Sequence, residues 1–292
     1  MAVWCFGSIN IDHFYTMAHL PAPGETLAAQ TYRVELGGKG ANQSVAAARA
    51  GAQVRHLGAV GADGAKALFE LEAAGVDCHG VQRLEGATGH AVIMVDQAGE
   101  NSIVIHAGAN HEMALAPVLE ALSEAEIGDL LLIQNETAHQ VEVAEVAMGK
   151  GMEVIYSAAP FDVEAVKAVL PFVSILVMNA VEAAQMQAAL GLELDAMPVE
   201  TLVVTRGADG ASWLARGWPE IHTPAQKVSV VDTTGAGDCF TGALAAALDG
   251  GAEPEEAMRF AAAAAALQVG RPGTAGAMPK RAEIEALLAV EP

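Results

Sequence analysis

The chain has 292 residues, 52% hydrophobic but only 4% aromatic, so its core draws on Ala, Val, Leu and Ile, the composition of helices on a buried sheet rather than of a β-sandwich. Fifteen Lys and Arg against 36 Asp and Glu leave a net charge of −21, which repels nucleic acid and anionic membrane alike and excludes both as expected partners. Three scattered cysteines, Cys5, Cys78 and Cys239, fit free thiols in a reducing, cytoplasmic setting; the opening "MAVWCFGSIN" has no basic run and turns polar too early for a signal peptide, and no apolar run reaches the ~18–20 residues that span a bilayer.

In chain order, "AVWCFGSI" predicts a buried first strand with Asn10 and Asp12 at its end, where α/β folds collect ligand-binding groups. Residues 13–36 are punctuated by Pro and Gly and stand apart from a layered core. "GANQSVAAARAGA" predicts a helix opened by glycines and closed by Gly51. A strand (Val54 to Ala59), a helix (Asp63 to Ala74) and a hairpin of "GHAVIMVD" and "NSIVIHAG" follow. Four further strands, "DLLLIQ", "EVIYSA", "SILVMN" and "TLVVT", alternate with helices over His139 to Met148, Val163 to Val169 and Ala180 to Leu190, the pattern of parallel strands joined by crossover helices. A hairpin-like stretch (Ala211 to Ala215) precedes helices over Ala236 to Leu248, Pro254 to Gln268 and Arg281 to Ala289.

The junction "VDTTGAGDCFTG" carries the most chemistry. Glycines before a helix let an anion approach free backbone N–H groups, so Gly235, Ala236 and Gly237 can form an anion hole at a positive helix end. Asp238 falls in the first turn, where the dipole favours an ionised carboxylate. Such a group beside a phosphate hole can take the proton from a hydroxyl that attacks the phosphate; the plainer reading is a helix cap after a tight turn. "GGKGAN" lacks the spacing and the Ser/Thr of a P-loop, and no GxGxxG follows the first strand. Gly38, Lys39 and Asn42 in "GGKGANQS", Asn10 and Asp12, and Glu136 after "LLIQ" place further polar groups at strand-to-helix junctions, where they suit a polyhydroxylated ligand.

With "GSINID", "PAPGET", "GGKGANQSVAAARAGA", "HAGAN" and "VDTTGAGDCFTGAL" in order along nearly the whole chain, the sequence resembles the ribokinase branch of the PfkB carbohydrate kinase family. The resemblance implies an α/β fold of three α/β/α layers, the ribokinase-like fold, with a mostly parallel central sheet and a small β lid. It implies one kinase domain over 1–292, with the lid formed by about 13–36 and 81–106. The strand "GHAVIMV" is itself apolar enough to want a partner, so a homodimer through the lids is expected. It implies an ATP-dependent carbohydrate kinase that phosphorylates the primary hydroxyl of a pentose, D-ribose to D-ribose 5-phosphate first among them. In that reading Asn10, Asp12, Gly38, Lys39, Asn42 and Glu136 contact the sugar, Asp238 is the base, and Gly235, Ala236 and Gly237 form the anion hole. Asn179 and Glu182 organise Mg2+ through water, and Thr205, Gly207 and Gly237 line ATP. Asp232, Thr234, Gln268, Arg271 and Gly273 ligate a monovalent cation, K+ in the expected cofactor set.

Departures from the family pattern are Ser157 for an expected Asn, a short segment between Gln185 and Leu202 that suggests a trimmed element, Ala262 near the adenine, and Ala277 for a frequent serine beside the monovalent ion. They leave open another acceptor, namely a nucleoside, fructose or a ketodeoxy sugar. A catalytically silent sugar-binding protein would not need the anion hole, and a glycosidase pair of Asp12 and Glu136 would not explain it.

Overall fold

The computed structural model describes residues 1–290. Its main sheet runs, across its width, through Ile221–Thr223, Ala211–Ala215, Thr201–Thr205, Ile175–Asn179, Glu153–Ser157, Leu130–Gln134, Val3–Phe6, Val54–Val60 and Val76–Asp77, with Val81–Arg83 added beside Val54–Val60. All pairings from Thr201–Thr205 to Val76–Asp77 are parallel, and the hairpin at the other edge is antiparallel. The strands are apolar on both faces because helices cover both: Leu130 and Leu132 enter one core, Leu131 and Ile133 the other. This is the three-layer ribokinase-like arrangement.

A second sheet orders Thr31–Gly37, Asn10–Thr16, Gly89–Val95 and Asn101–His106. Three expectations change here. The first strand stops at Phe6, and Asn10 and Asp12 begin a strand of the small sheet rather than ending one of the large sheet. Val81–Arg83, expected with the lid, pairs in parallel with Gly58 to Val60 of the main sheet. Gly89–Val95 is an inner strand of the small sheet, whose two edges are Thr31–Gly37 and Asn101–His106.

Most predicted helices and strands form within a residue or two, but the helix Leu115–Leu122 and the strand Ile221–Thr223 carry no sequence expectation. Pro117 disguises the former, although proline is tolerated in a first turn. The short segment after Gln185 trims only the connection: the helix runs to Leu190 and the strand Thr201–Thr205 is complete. Cys5, Cys78 and Cys239 are free thiols. Among the described residues no helix is long and apolar enough to cross a membrane.

Candidate active site

The parallel strands Glu153–Ser157, Ile175–Asn179 and Thr201–Thr205 end at a cavity of about 220 Å³ lined by Ser157, Asn179, Thr205, Glu182, Lys39 and the Thr233 to Asp238 turn. Ligand sites in open α/β sheets lie at these carboxyl ends. Gly235, at φ 79°, lets the chain turn into the helix Ala236–Asp249. The Ala236 N–H donates to the Thr233 carbonyl at 3.2 Å, whereas Gly237 and Asp238, in the first turn, have no intrahelical acceptor for theirs. A Cβ on Gly237 would meet nothing within 4 Å, so this glycine keeps space open rather than relieving a clash.

Asp238, 8% exposed, accepts from Asn42 Nδ2 at 3.0 Å and from Gln43 Nε2 at 3.1 Å. Gln134 Nε2 in turn donates to Gln43 Oε1 at 2.8 Å. Burial pushes the Asp238 carboxyl above its ordinary range, against the pull of Lys39, Asn42 and Gln43 and with Glu136 adding to it. The helix dipole therefore does not govern this group; desolvation does, and a raised carboxylate is the better proton acceptor. Lys39 has Asp238 as its strongest electrostatic partner, opposed by burial and reinforced by Glu136, Glu182 and Asp12, and its ammonium is held above its usual range.

On the small-sheet side, the Ser8 hydroxyl donates to Glu136, and Glu136 Oε2 also accepts from the Lys39 N–H at 3.0 Å. Gly38 sits at φ 90° with Ser8 O only 2.8 Å from where a Cβ would be. Gly37 makes room for a side chain: a Cβ there would lie 2.0 Å from Asp12 Oδ2 and push the carboxylate from its place. Asn10 Oδ1 accepts from Asn110 Nδ2 at 2.8 Å. The structure thus joins Asn42, Lys39, Glu136 and Asp12 to the surroundings of Asp238, while Asn10 lines a neighbouring cavity with Glu35, Asp63 and Lys66. Buried Asn42 Oδ1 has no partner among the described residues, which leaves an acceptor for a ligand hydroxyl.

Asp12 is raised from its ordinary 3.8 to about 7 by burial, with Glu136 and Glu35 adding to it and Lys39 opposing. Below its unfolded value the group is protonated in both states. Between there and about pH 7 the unfolded chain loses the proton first, so stability falls as pH rises through that window. Thermal melts from pH 4 to 8 should show this slope, and Asp12→Asn should flatten it; parallel curves for the two proteins would contradict the assignment.

Asn179 and Glu182 form a reciprocal cap: Asn179 Oδ1 accepts from the Val181 and Glu182 N–H groups, and Glu182 Oε2 from the Asn179 N–H at 2.8 Å. They therefore have a folding role as well as a place on the cavity wall. Their oxygens, on the wall beside the Gly235 to Gly237 turn, are of the type that would hold Mg2+ or its waters. Thr205 lines the cavity; Gly207 lies exposed outside its lining. The expected monovalent-cation ligands do not fit an ion as they stand. Asp232 accepts from Thr234 N–H (2.9 Å) and Gly273 N–H (3.1 Å), and Gln268 Nε2 donates to the carbonyls of Thr234 and Gly273. The Gln268 carbonyl accepts from the Arg271 N–H at 2.9 Å. Partial burial alone would raise Asp232; the Thr234 and Gly273 amides outweigh it and hold the carboxyl below the usual range.

Gln43, Gln134, Ser8 and Asn110 carry no sequence expectation. Their one signal is amide or hydroxyl side chains within otherwise apolar or glycine-rich junctions. His13, His90 and His106 cluster on the small sheet, His13 against Tyr32, and no cluster of three or more His, Cys, Asp or Glu side chains that could hold a metal occurs among the described residues. Arg206 is spent on Ser212 Oγ and the Val204 carbonyl.

A parallel α/β/α sheet whose carboxyl edge sets a buried carboxylate in the first turn of a glycine-opened helix has the parts to bring a hydroxyl to a phosphate, and its family makes the chain a phosphotransferase with an alcohol acceptor. The chain belongs to the pfkB family of carbohydrate kinases, whose profile matches residues 2–281. It is 38% identical to the ribokinase of Bacillus subtilis over 97% of both chains. It is 31% identical to the deoxyribokinase of Salmonella typhimurium over 96% of each. Its fold superposes on the structure of Arabidopsis thaliana ribokinase complexed with ribose and ATP with a TM-score of 0.88, at 31% identity and full coverage of both chains.

Proposed function

We propose that this kinase transfers the γ-phosphoryl of ATP to the primary hydroxyl of D-ribose, giving D-ribose 5-phosphate. The observation that carries the reading is the buried Asp238, its two oxygens held by Asn42 and Gln43 at the mouth of a helix N-terminus. Asp238 accepts the hydroxyl proton as the oxygen attacks phosphorus. The amides of the Gly235 to Gly237 turn, that of Gly237 foremost because Ala236 already donates to Thr233, and the Lys39 ammonium neutralise charge on the transferring group. Asn10, Asp12, Gly38, Asn42 and Glu136 orient the sugar, and Thr205 and Gly207 flank the nucleotide. Bound Mg2+, organised by Asn179 and Glu182, would supply further neutralisation of the phosphates.

Likeness to a deoxyribokinase keeps a second acceptor in view. ADP release with Mg-ATP decides between them: D-ribose should be preferred over 2-deoxyribose, ketoses and nucleosides. Turnover with another acceptor alone would move the substrate, and silence across the panel would favour a sugar-binding protein.

The small sheet also supports a homodimer. Its edge strand Asn101–His106 exposes Ile103 (51%), Val104 (60%) and Ile105 (62%), and an apolar unpaired edge invites a partner. Sedimentation should give a dimer at micromolar concentration and a monomer for Val104→Glu; a wild-type monomer would refute it.

A further inference from the structure

We propose that the carboxamide of Gln268 stands in for a monovalent cation, so that the loop leading into the catalytic helix is held, and the enzyme turns over, without K+. Two backbone carbonyls from distant segments converge on one point. Thr234 O comes from the turn before the helix Ala236–Asp249, and Gly273 O from the turn after the helix Pro254–Val269. Converging carbonyl dipoles repel unless a cation or a donor sits between them. Gln268, fully buried in the last turn of the second helix, places Nε2 at 2.7 Å from Thr234 O and 3.1 Å from Gly273 O. An amide nitrogen carries two hydrogens, one for each.

The surrounding groups agree. Asp232 bridges the same two segments by accepting from the N–H groups of Thr234 and Gly273. The backbone carbonyl of Gln268 accepts from Arg271, and Ala277 has no side-chain oxygen to contribute. Buried Gln268 Oε1 has no partner among the described residues; one acceptor is left unpaired so that two carbonyls gain donors. The opposite amide orientation would set three oxygens at 2.7 and 3.1 Å separations, which only an ion among them would neutralise. The two orientations therefore predict opposite responses to K+.

The test compares wild type, Gln268→Ala and Gln268→Glu in KCl and in N-methyl-D-glucamine chloride at equal ionic strength, reading melting temperature and ADP release. Wild type should show no KCl-specific change in either. Both variants should melt lower without KCl and recover with it, by on the order of 5 °C for an ion at about a hundred times its dissociation constant. Activation of wild type severalfold by KCl, with a rise in its melting temperature, would overturn the proposal. So would variants as indifferent to KCl as wild type. If one variant fails to fold, the other and the wild-type titration still decide. The melting arm needs no turnover, so its result is separable from the failure of the kinase reading.

Discussion

Asp238→Asn is expected to lower kcat by about 10²- to 10⁴-fold, the worth of a positioned general base, while sugar binding measured by calorimetry changes little. The substitution keeps volume and shape, and the neighbours can adapt to it. Asn42 donates to one carboxylate oxygen while its own Oδ1 is unpaired. The new side-chain oxygen would keep Gln43 as its donor, and Asn42 Oδ1 would stay turned to the ligand. What disappears is the group that takes the hydroxyl proton. Turnover near wild type would remove Asp238 from the role of base; loss of sugar binding in the same measure would make it a binding group only.

Gly242→Ala should damage both stability and turnover from one turn further along the same helix. A Cβ there would lie 2.4 Å from the Gln43 carbonyl oxygen and 2.7 Å from the Ala46 Cβ. The nearest atom is backbone and cannot rotate aside, so the helices Lys39–Arg49 and Ala236–Asp249 must separate. Replacing a helical glycine by alanine gains up to ~1 kcal/mol of propensity, but overpacking of a close contact costs about 1–3 kcal/mol, and a fixed carbonyl puts the cost at the upper end. The same separation draws Asn42 and Gln43 away from Asp238. A drop of a few degrees in melting temperature is expected, along with a fall in kcat on the order of tenfold or more, since sub-ångström misplacement of reacting groups is costly. An unchanged melt and unchanged kcat would show that the helix contact does not position the carboxylate.

The element order was legible in the sequence because its signals are local. Period, glycine and capping residues act over a few positions, so the helix Ala180–Leu190 and the strands Ile175–Asn179 and Thr201–Thr205 form where the pattern puts them. The turn at Gly235, the first-turn Asp238 and the polar junctions at Lys39 to Asn42 and Glu136 were legible for the same reason. Local signals failed where strand partners are chosen by packing: Asn10 and Asp12 read as the end of the first strand and Val81–Arg83 as part of the lid, and nothing nearby says which sheet receives them.

By itself, then, the sequence determined the layered α/β class, the helix junctions and the types of group available at the site, all of them consequences of chemistry acting within a turn or a strand. Only the tertiary structure decided what each buried polar group faces. Gln43 reaches Asp238 across 195 positions and Asn42 across 196. Gln134 ends an apolar strand and looks no different in sequence whether it is exposed or, as here, buried against Gln43. The Gln268 amide meets carbonyls on two separate turns. Burial raises Asp238 and Asp12 for the same reason: desolvation and hydrogen-bond partners depend on which surfaces are brought together in space, and spacing along the chain does not encode them.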